Sequence, residues 1–215
     1  LRNRVCFVVD GFNLYHSVKD AQKHTGVECR WLDIRSLCDS FLSAIGDQAS
    51  TDAVYYFSAL AYHCEQQGPG TVARHKAFIS ALESTGVITS LASFKPKSID
   101  YKCANCGHRG TLTRHEEKET DVAVASKLIE LAIGDTVDTV VVVSGDTDLV
   151  PAIKTARKLS AKPVHVLFPY RRYNGAVAAV ADRHFKIKPR HYEVHQFPDP
   201  VETSTGQIAR PKTWG

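Results

Sequence analysis

Along the chain, short β-branched apolar runs alternate with stretches whose apolar residues recur at helical spacing. Val5-Cys6-Phe7-Val8-Val9 is apolar without a break, as a strand buried on both faces requires. Residues 54–60 and 140–143 read the same way, and the second predicts the clearest central strand. Residues 164–168 predict a strand after the next helix, residues 87–94 a weaker one and residues 185–187 a short edge strand. Between them Ile34, Leu37, Cys38, Phe41, Leu42 and Ile45 predict one helix capped by Asp33. Residues 74–83 place Ala77, Phe78, Ala81 and Leu82 on one face. Residues 121–133 are apolar almost all round and predict a deeply packed helix. Residues 149–159 are amphipathic, with Pro151 tolerable only in a first turn. Such alternation predicts βαβ units and a mainly parallel α/β sheet.

Two regions break the pattern. Residues 95–117 are polar and read as an insertion carrying Cys103 and Cys106. Residues 198–215, with prolines, Ser204 and Gly206, read as a loosely held tail behind a domain of residues 1–197.

Composition narrows the class. A 215-residue chain that is 43% hydrophobic and 23% charged is neither collagenous, coiled-coil nor wholly disordered, and can bury one large core. No run of about 18 apolar residues occurs, so no membrane span is expected. Six scattered cysteines and an N-terminus without a long apolar segment suggest the cytoplasm. Net charge is +4, but residues 151–190 hold ten Lys/Arg against Asp182 alone. That stretch carries +9 and leaves −5 elsewhere, which suggests a basic face for a polyanion and an acidic cluster apart from it.

The acids gather where strands are predicted to end. Asp10 follows the first strand, Asp146 and Asp148 follow the most apolar one, and Asp121 opens the buried helix. In an open parallel sheet, ligands bind beyond the carboxyl ends of the strands. Four converging carboxylates repel one another unless a cation sits among them, and oxygen ligands select Mg²⁺ or Mn²⁺. Each acid has a plainer reading as a helix cap, and so does Asn13, but two acids two residues apart exceed what one cap needs.

Three segments carry a resemblance: Val8-Val9-Asp10-Gly11-Phe12-Asn13, Glu117-Lys118-Glu119-Thr120-Asp121 and Ser144-Gly145-Asp146-Thr147-Asp148-Leu149-Val150-Pro151. In this order they resemble the motifs of the NYN domain family, within the PIN-like superfamily of metal-dependent nucleases, over about residues 4–187. The resemblance implies a PIN-like three-layer α/β/α sandwich and hydrolysis of RNA phosphodiesters around Mg²⁺ or Mn²⁺ held by Asp10, Asp121, Asp146 and Asp148. Glu119 departs from the pattern, standing where glycine is usual. Asn13 and Ser144 are suited to orienting a phosphate or a metal-bound water. Ser144 has no evident His partner, which argues against covalent catalysis.

The loop after residue 168 supplies cations and rings. Arg171 and Arg172 suit phosphates, Tyr170 and Tyr173 suit unpaired bases, and Lys118 suits the same anion, so single-stranded RNA is the expected partner. The tyrosines could instead simply pack on the sheet. Cys103-x-x-Cys106-Gly107 has the form of half a zinc knuckle, with His108 and His115 as weaker candidates for a structural Zn²⁺ and His63 and Cys64 more remote. Two rival functions remain beside the ribonuclease: a noncatalytic RNA-binding or regulatory module, and a metal-dependent phosphatase or nucleotidase. Homo-oligomerisation is left open.

Overall fold

The computed structural model describes residues 2–66, 68–204 and 206–214, with side chains for all of these except residues 116–118. The first apolar run forms β1 (Asn3–Asp10), whose Val5 to Val9 are completely buried. It lies between β2 (Ala49–Leu60) and β5 (Thr139–Val143), parallel to both. Outward on the β2 side come β3 (Ile88–Lys102) and its antiparallel neighbour β4 (Arg109–Lys118). On the other side come β6 (Val164–Phe168) and β7 (Arg183–Lys186), giving the order β4-β3-β2-β1-β5-β6-β7.

The period of two divides each central strand between two cores. Val5, Phe7, Val9, Val141 and Val143 enter one; Cys6, Val8, Val140 and Val142 enter the other. The first core is covered by α1 (Gly11–Thr25), α2 (Ile34–Asp39), α3 (Leu42–Ile45), α4 (Thr71–Ser84) and α8 (Pro189–Val194). The second is covered by α5 (Thr120–Ile133), α6 (Val150–Leu159) and α7 (Gly175–Val180). The result is the PIN-like α/β/α sandwich with a mainly parallel sheet.

Four sequence expectations change. The single helix over 34–45 is two, interrupted at Ser40, whose hydroxyl donates to the Leu37 carbonyl. On α5, Val124, Leu128, Leu131 and Ala132 are buried, but Val122 is 69% exposed and Ile133 57%, so the helix packs on one face only. The polar insertion is no separate loop. It prolongs β3 and returns as β4 in ten-residue register from Ser93–Lys118 to Lys102–Arg109.

The segment after Pro198 is docked rather than loose. Val201 enters the first core, β8 (Val201–Thr203) pairs with β9 (Gly206–Ile208), and Trp214 meets Trp31 and Phe78 edge-on. The Trp31 indole N–H donates to the Pro198 carbonyl at 3.1 Å, fixing where this segment leaves the body. Among the described residues no helix is long and apolar enough to cross a membrane.

Candidate active site

Because β1 and β5 are parallel neighbours, Asp10 and the 144–148 loop emerge at one edge. Asp10 is the N-cap of α1: its Oδ1 accepts the Asn13 N–H at 2.9 Å. Its Oδ2 accepts the Ser144 hydroxyl at 2.7 Å, and Ser144 Oγ in turn accepts the Asp146 N–H at 3.1 Å. Asn13 closes the ring, its Oδ1 accepting the Gly145 N–H at 3.1 Å. Asp10, Asn13, Ser144 and Asp146 are therefore one hydrogen-bonded assembly across two strands. Asp146 also accepts the Asp148 N–H at 2.9 Å, capping the single 3-10 turn over Thr147–Leu149.

Two glycines permit this closeness, and neither was singled out in the sequence. A Cβ on Gly145 would stand 1.8 Å from the Arg172 carbonyl oxygen, and one on Gly11 would stand 2.5 Å from the Phe57 carbonyl oxygen. Each follows a strand end within its motif, which is the signal that could have found them. Glu119 adopts the left-handed conformation itself, at φ 80°, so α5 still starts at Thr120 and keeps Asp121 in its first turn. Glycine would take this backbone angle without the strain a side chain brings.

The electrostatics mark the acids as neighbours. Burial, above all, pushes the Asp10 carboxyl up to about 6; Asp121 and Asp146 push the same way, while the bonds from Asn13 and Ser144 oppose them. Asp121 is also raised, by desolvation first and then by Asp146 and Asp148. Asp148, exposed at the rim, thus acts on Asp121.

The donor set is all oxygen, and its mutual repulsion suits a hard divalent cation. Among the described residues, no three His, Cys, Asp or Glu side chains are drawn round one point as they stand. Gripping an ion therefore requires rotamer changes, which the exposed Asp121 side chain and the half-buried Asp146 can make.

The loop after β6 is only partly the surface expected. Tyr170 packs against the first core, its N–H donating to the Tyr192 hydroxyl at 3.3 Å and its carbonyl accepting Ser17 Oγ at 2.8 Å. Arg172 is engaged by Asp20 at 2.7 Å. These two hold the loop against the body. Arg171 and Tyr173 remain exposed, with Lys186 Nζ 4.0 Å from the Tyr173 ring centroid. The Lys118 side chain lies outside the described residues.

At the hairpin tip, the backbone N–H of Cys106, then that of Asn105 and the Cys106 thiol, bond to Cys103 Sγ and lower its thiol pKa, and Gly107 turns at φ 71°. His108 is in the same turn, its carbonyl accepting the Cys103 N–H. His115 is elsewhere: it pairs with Pro96, well down the hairpin from the Lys102–Arg109 pair, and stacks on His63 at 4.3 Å. The structure thus separates His115 and His63 from the cysteine pair, because an antiparallel ladder advances about 3.4 Å per residue.

The NYN domain family matches residues 4–188, so the chain belongs to the NYN domain family, within the PIN-like nucleases. Such domains act on nucleic acids and generally use divalent metals. The crystal structure of a protein of unknown function from Vibrio parahaemolyticus is similar, with a TM-score of 0.55 and 18% identity. The likeness covers 87% of this chain and 94% of that one, and shows the fold alone. No curated protein matches the chain.

Proposed function

We propose that the protein is a Mg²⁺- or Mn²⁺-dependent ribonuclease that hydrolyses phosphodiester bonds of single-stranded RNA where Asp10, Asp121 and Asp146 meet. The observation that carries this reading is Asp10: a buried carboxyl pushed up to about 6, with two further acids raising it. Capping α1 alone would not require a charge there. Asp10, Asp121 and Asp146, with Asp148 at the rim, would hold a divalent ion, which would supply charge neutralisation for the phosphate and acidify water. The chain's own groups fix the geometry. Ser144 aims Asp10 through its hydroxyl, and Asn13 ties the α1 start to the 144–148 loop through Gly145. Arg171 and Tyr173, flanking the Arg172 backbone that meets Gly145, are the exposed phosphate and base contacts, with Lys118 a further candidate cation. The unpaired cysteines support a reducing compartment such as the cytoplasm.

The test is cleavage of labelled single-stranded RNA with Mn²⁺ or chelator, by wild type and Asp146→Asn. A fall of about 100-fold or more in the variant, and loss of activity in chelator, are expected. Undiminished cleavage in either arm overturns the reading. RNA retention without cleavage by wild type identifies a binding module instead, and phosphate release from mononucleotides identifies a phosphatase.

A further inference from the structure

From Gly11, the residue after Asp10, opens a cavity of ≈ 380 Å³ that the proposed chemistry does not use. α1 forms one wall, the end of β2 (Ser58 and Ala59) the floor, and His75 of α4 with Phe94 of β3 the far side. Its size is within the range of pockets that enclose small organic ligands.

Two aromatic rings stand at its mouth outside both cores. Phe12 is 48% exposed and Tyr15 44%, with the His16 ring edge-on to them at 4.5 and 5.5 Å. Rings of this size left in water beside a cavity are not explained by packing. The polar groups within are few: one cation, Arg30, already paired with Glu28 at 2.7 Å, and a small set of hydroxyl and imidazole groups. Ser58 Oγ lies 3.4 Å from His75 Nε2, and His63 Nδ1 is buried with no hydrogen-bond partner among the described residues. Burial lowers the pKa of both His63 and His75, so each imidazole offers one donor and one acceptor.

Position and charge select the ligand. Gly11, which lines the cavity, follows Asp10 directly, and Phe12 lies in the same first turn of α1 that Asp10 caps. Lys19 Nζ stands 5.4 Å from the Tyr15 ring centroid, and Lys76 Nζ stands 5.7 Å from that of Tyr62, placing cations around the aromatic surface. A second cavity of ≈ 420 Å³ shares His63 and Phe94 with the first and carries the trough out over the hairpin. A flat, edge-polar ring attached to an anionic backbone fits this arrangement.

We propose that the cavity receives one unstacked nucleobase of a single-stranded nucleic acid, with the adjoining phosphate at the acids. Phe12 and Tyr15 hold the base by its faces, and Ser58, His63 and His75 meet its polar edge. The proposal rests on the nuclease reading and deepens it: a paired base cannot enter, so the cavity selects single strands. An apolar protein side chain would leave those polar groups unmatched.

The test uses single-stranded RNA oligonucleotides with 2-aminopurine placed at successive positions, and a matched set with an abasic residue at each. Asp146→Asn protein prevents turnover during binding. The fluorophore should be quenched at one position, next to the phosphate that wild type cleaves, and the abasic residue there should weaken binding about tenfold. Phe12→Ala and the cavity-filling Ala61→Phe should each remove that quenching while melting as folded proteins. Quenching that is absent or equal at every position, with wild type still cleaving in Mn²⁺, overturns the base pocket and leaves the nuclease reading intact. So does quenching that survives Ala61→Phe. Absence of both binding and cleavage overturns the two together.

Discussion

Asp10→Asn should stabilise the protein at neutral pH while removing its proposed chemistry. The folded chain holds this carboxyl near 6 against an ordinary value of 3.8, an interval worth about 3 kcal/mol at 1.36 kcal/mol per pH unit. The sign follows from linkage. Below about pH 4 the group is protonated in both states and contributes nothing. Between about 4 and 6 the unfolded chain ionises first, so stability falls as pH rises, and above 6 the full penalty persists. Asparagine removes the charge and still caps, since its oxygen can accept the Asn13 N–H. Its amide would donate to Ser144 Oγ, which then needs a new acceptor for its own proton, at a cost of about 1 kcal/mol.

The net gain is about 2 kcal/mol at pH 7.5, or about 4–8 °C in Tm for a chain of this size. Thermal and urea unfolding of both proteins from pH 4 to 8 measures it, and the gap should close toward pH 4. A further arm adds Mn²⁺, which should stabilise wild type by about 2.7 kcal/mol at a hundredfold excess over Kd and leave the variant unmoved. Equal stability at pH 7.5, or a gap that does not change with pH, would refute the assigned burial of charge.

Gly145→Ala should lose about 2–3 kcal/mol, because its Cβ meets backbone of Arg172 rather than a yielding side chain; denaturation measures this, and RNA cleavage should fall with it as Asn13 loses its register. Glu119→Gly should gain about 0.5–1 kcal/mol by relieving φ 80°, net of the entropy glycine loses on folding, with Glu119→Ala as the control that does not gain. The exposed Lys95 partner of Glu119 takes little from that gain. Tyr192→Phe should cost about 1–2 kcal/mol in urea unfolding, since its hydroxyl joins Ser17 to the Tyr170 N–H in the interior.

What could be read from sequence follows from where apolar residues carry information. β1 and β5 are covered on both faces, so every residue from Val5 to Val9 and from Val140 to Val143 had to be apolar, and the strands stood out. α1 did not stand out because its pattern is blurred: Ser17 and Ala21 share the inward face with Leu14 and Val18, while Phe12 and Tyr15 face water. The hairpin escaped because most of β3 beyond Ser93 is exposed, leaving no alternation to detect. The tail looked loose because Trp214 gains its contacts from Trp31 and Phe78, far away in sequence. The acids were legible because they follow strands directly. The structural roles of Arg172 and Tyr170 were not, since Asp20 and Tyr192 lie 152 and 22 positions away.

Capping and chemistry are not rival explanations of Asp10, and the comparison with Asp33 separates them. Both accept the N–H of the third residue onward at 2.9 Å and start a helix in the same way. Asp33 does so half-buried, where water still solvates its charge. Asp10 is only 5% exposed and faces two further acids that raise its pKa. Serine, threonine or asparagine would cap α1 from that position without burying an anion. A charge maintained there against about 3 kcal/mol of folding stability is the expense expected of a group whose negative charge has a use, and the use we propose is the attraction of a cation to the edge where β1 and β5 end.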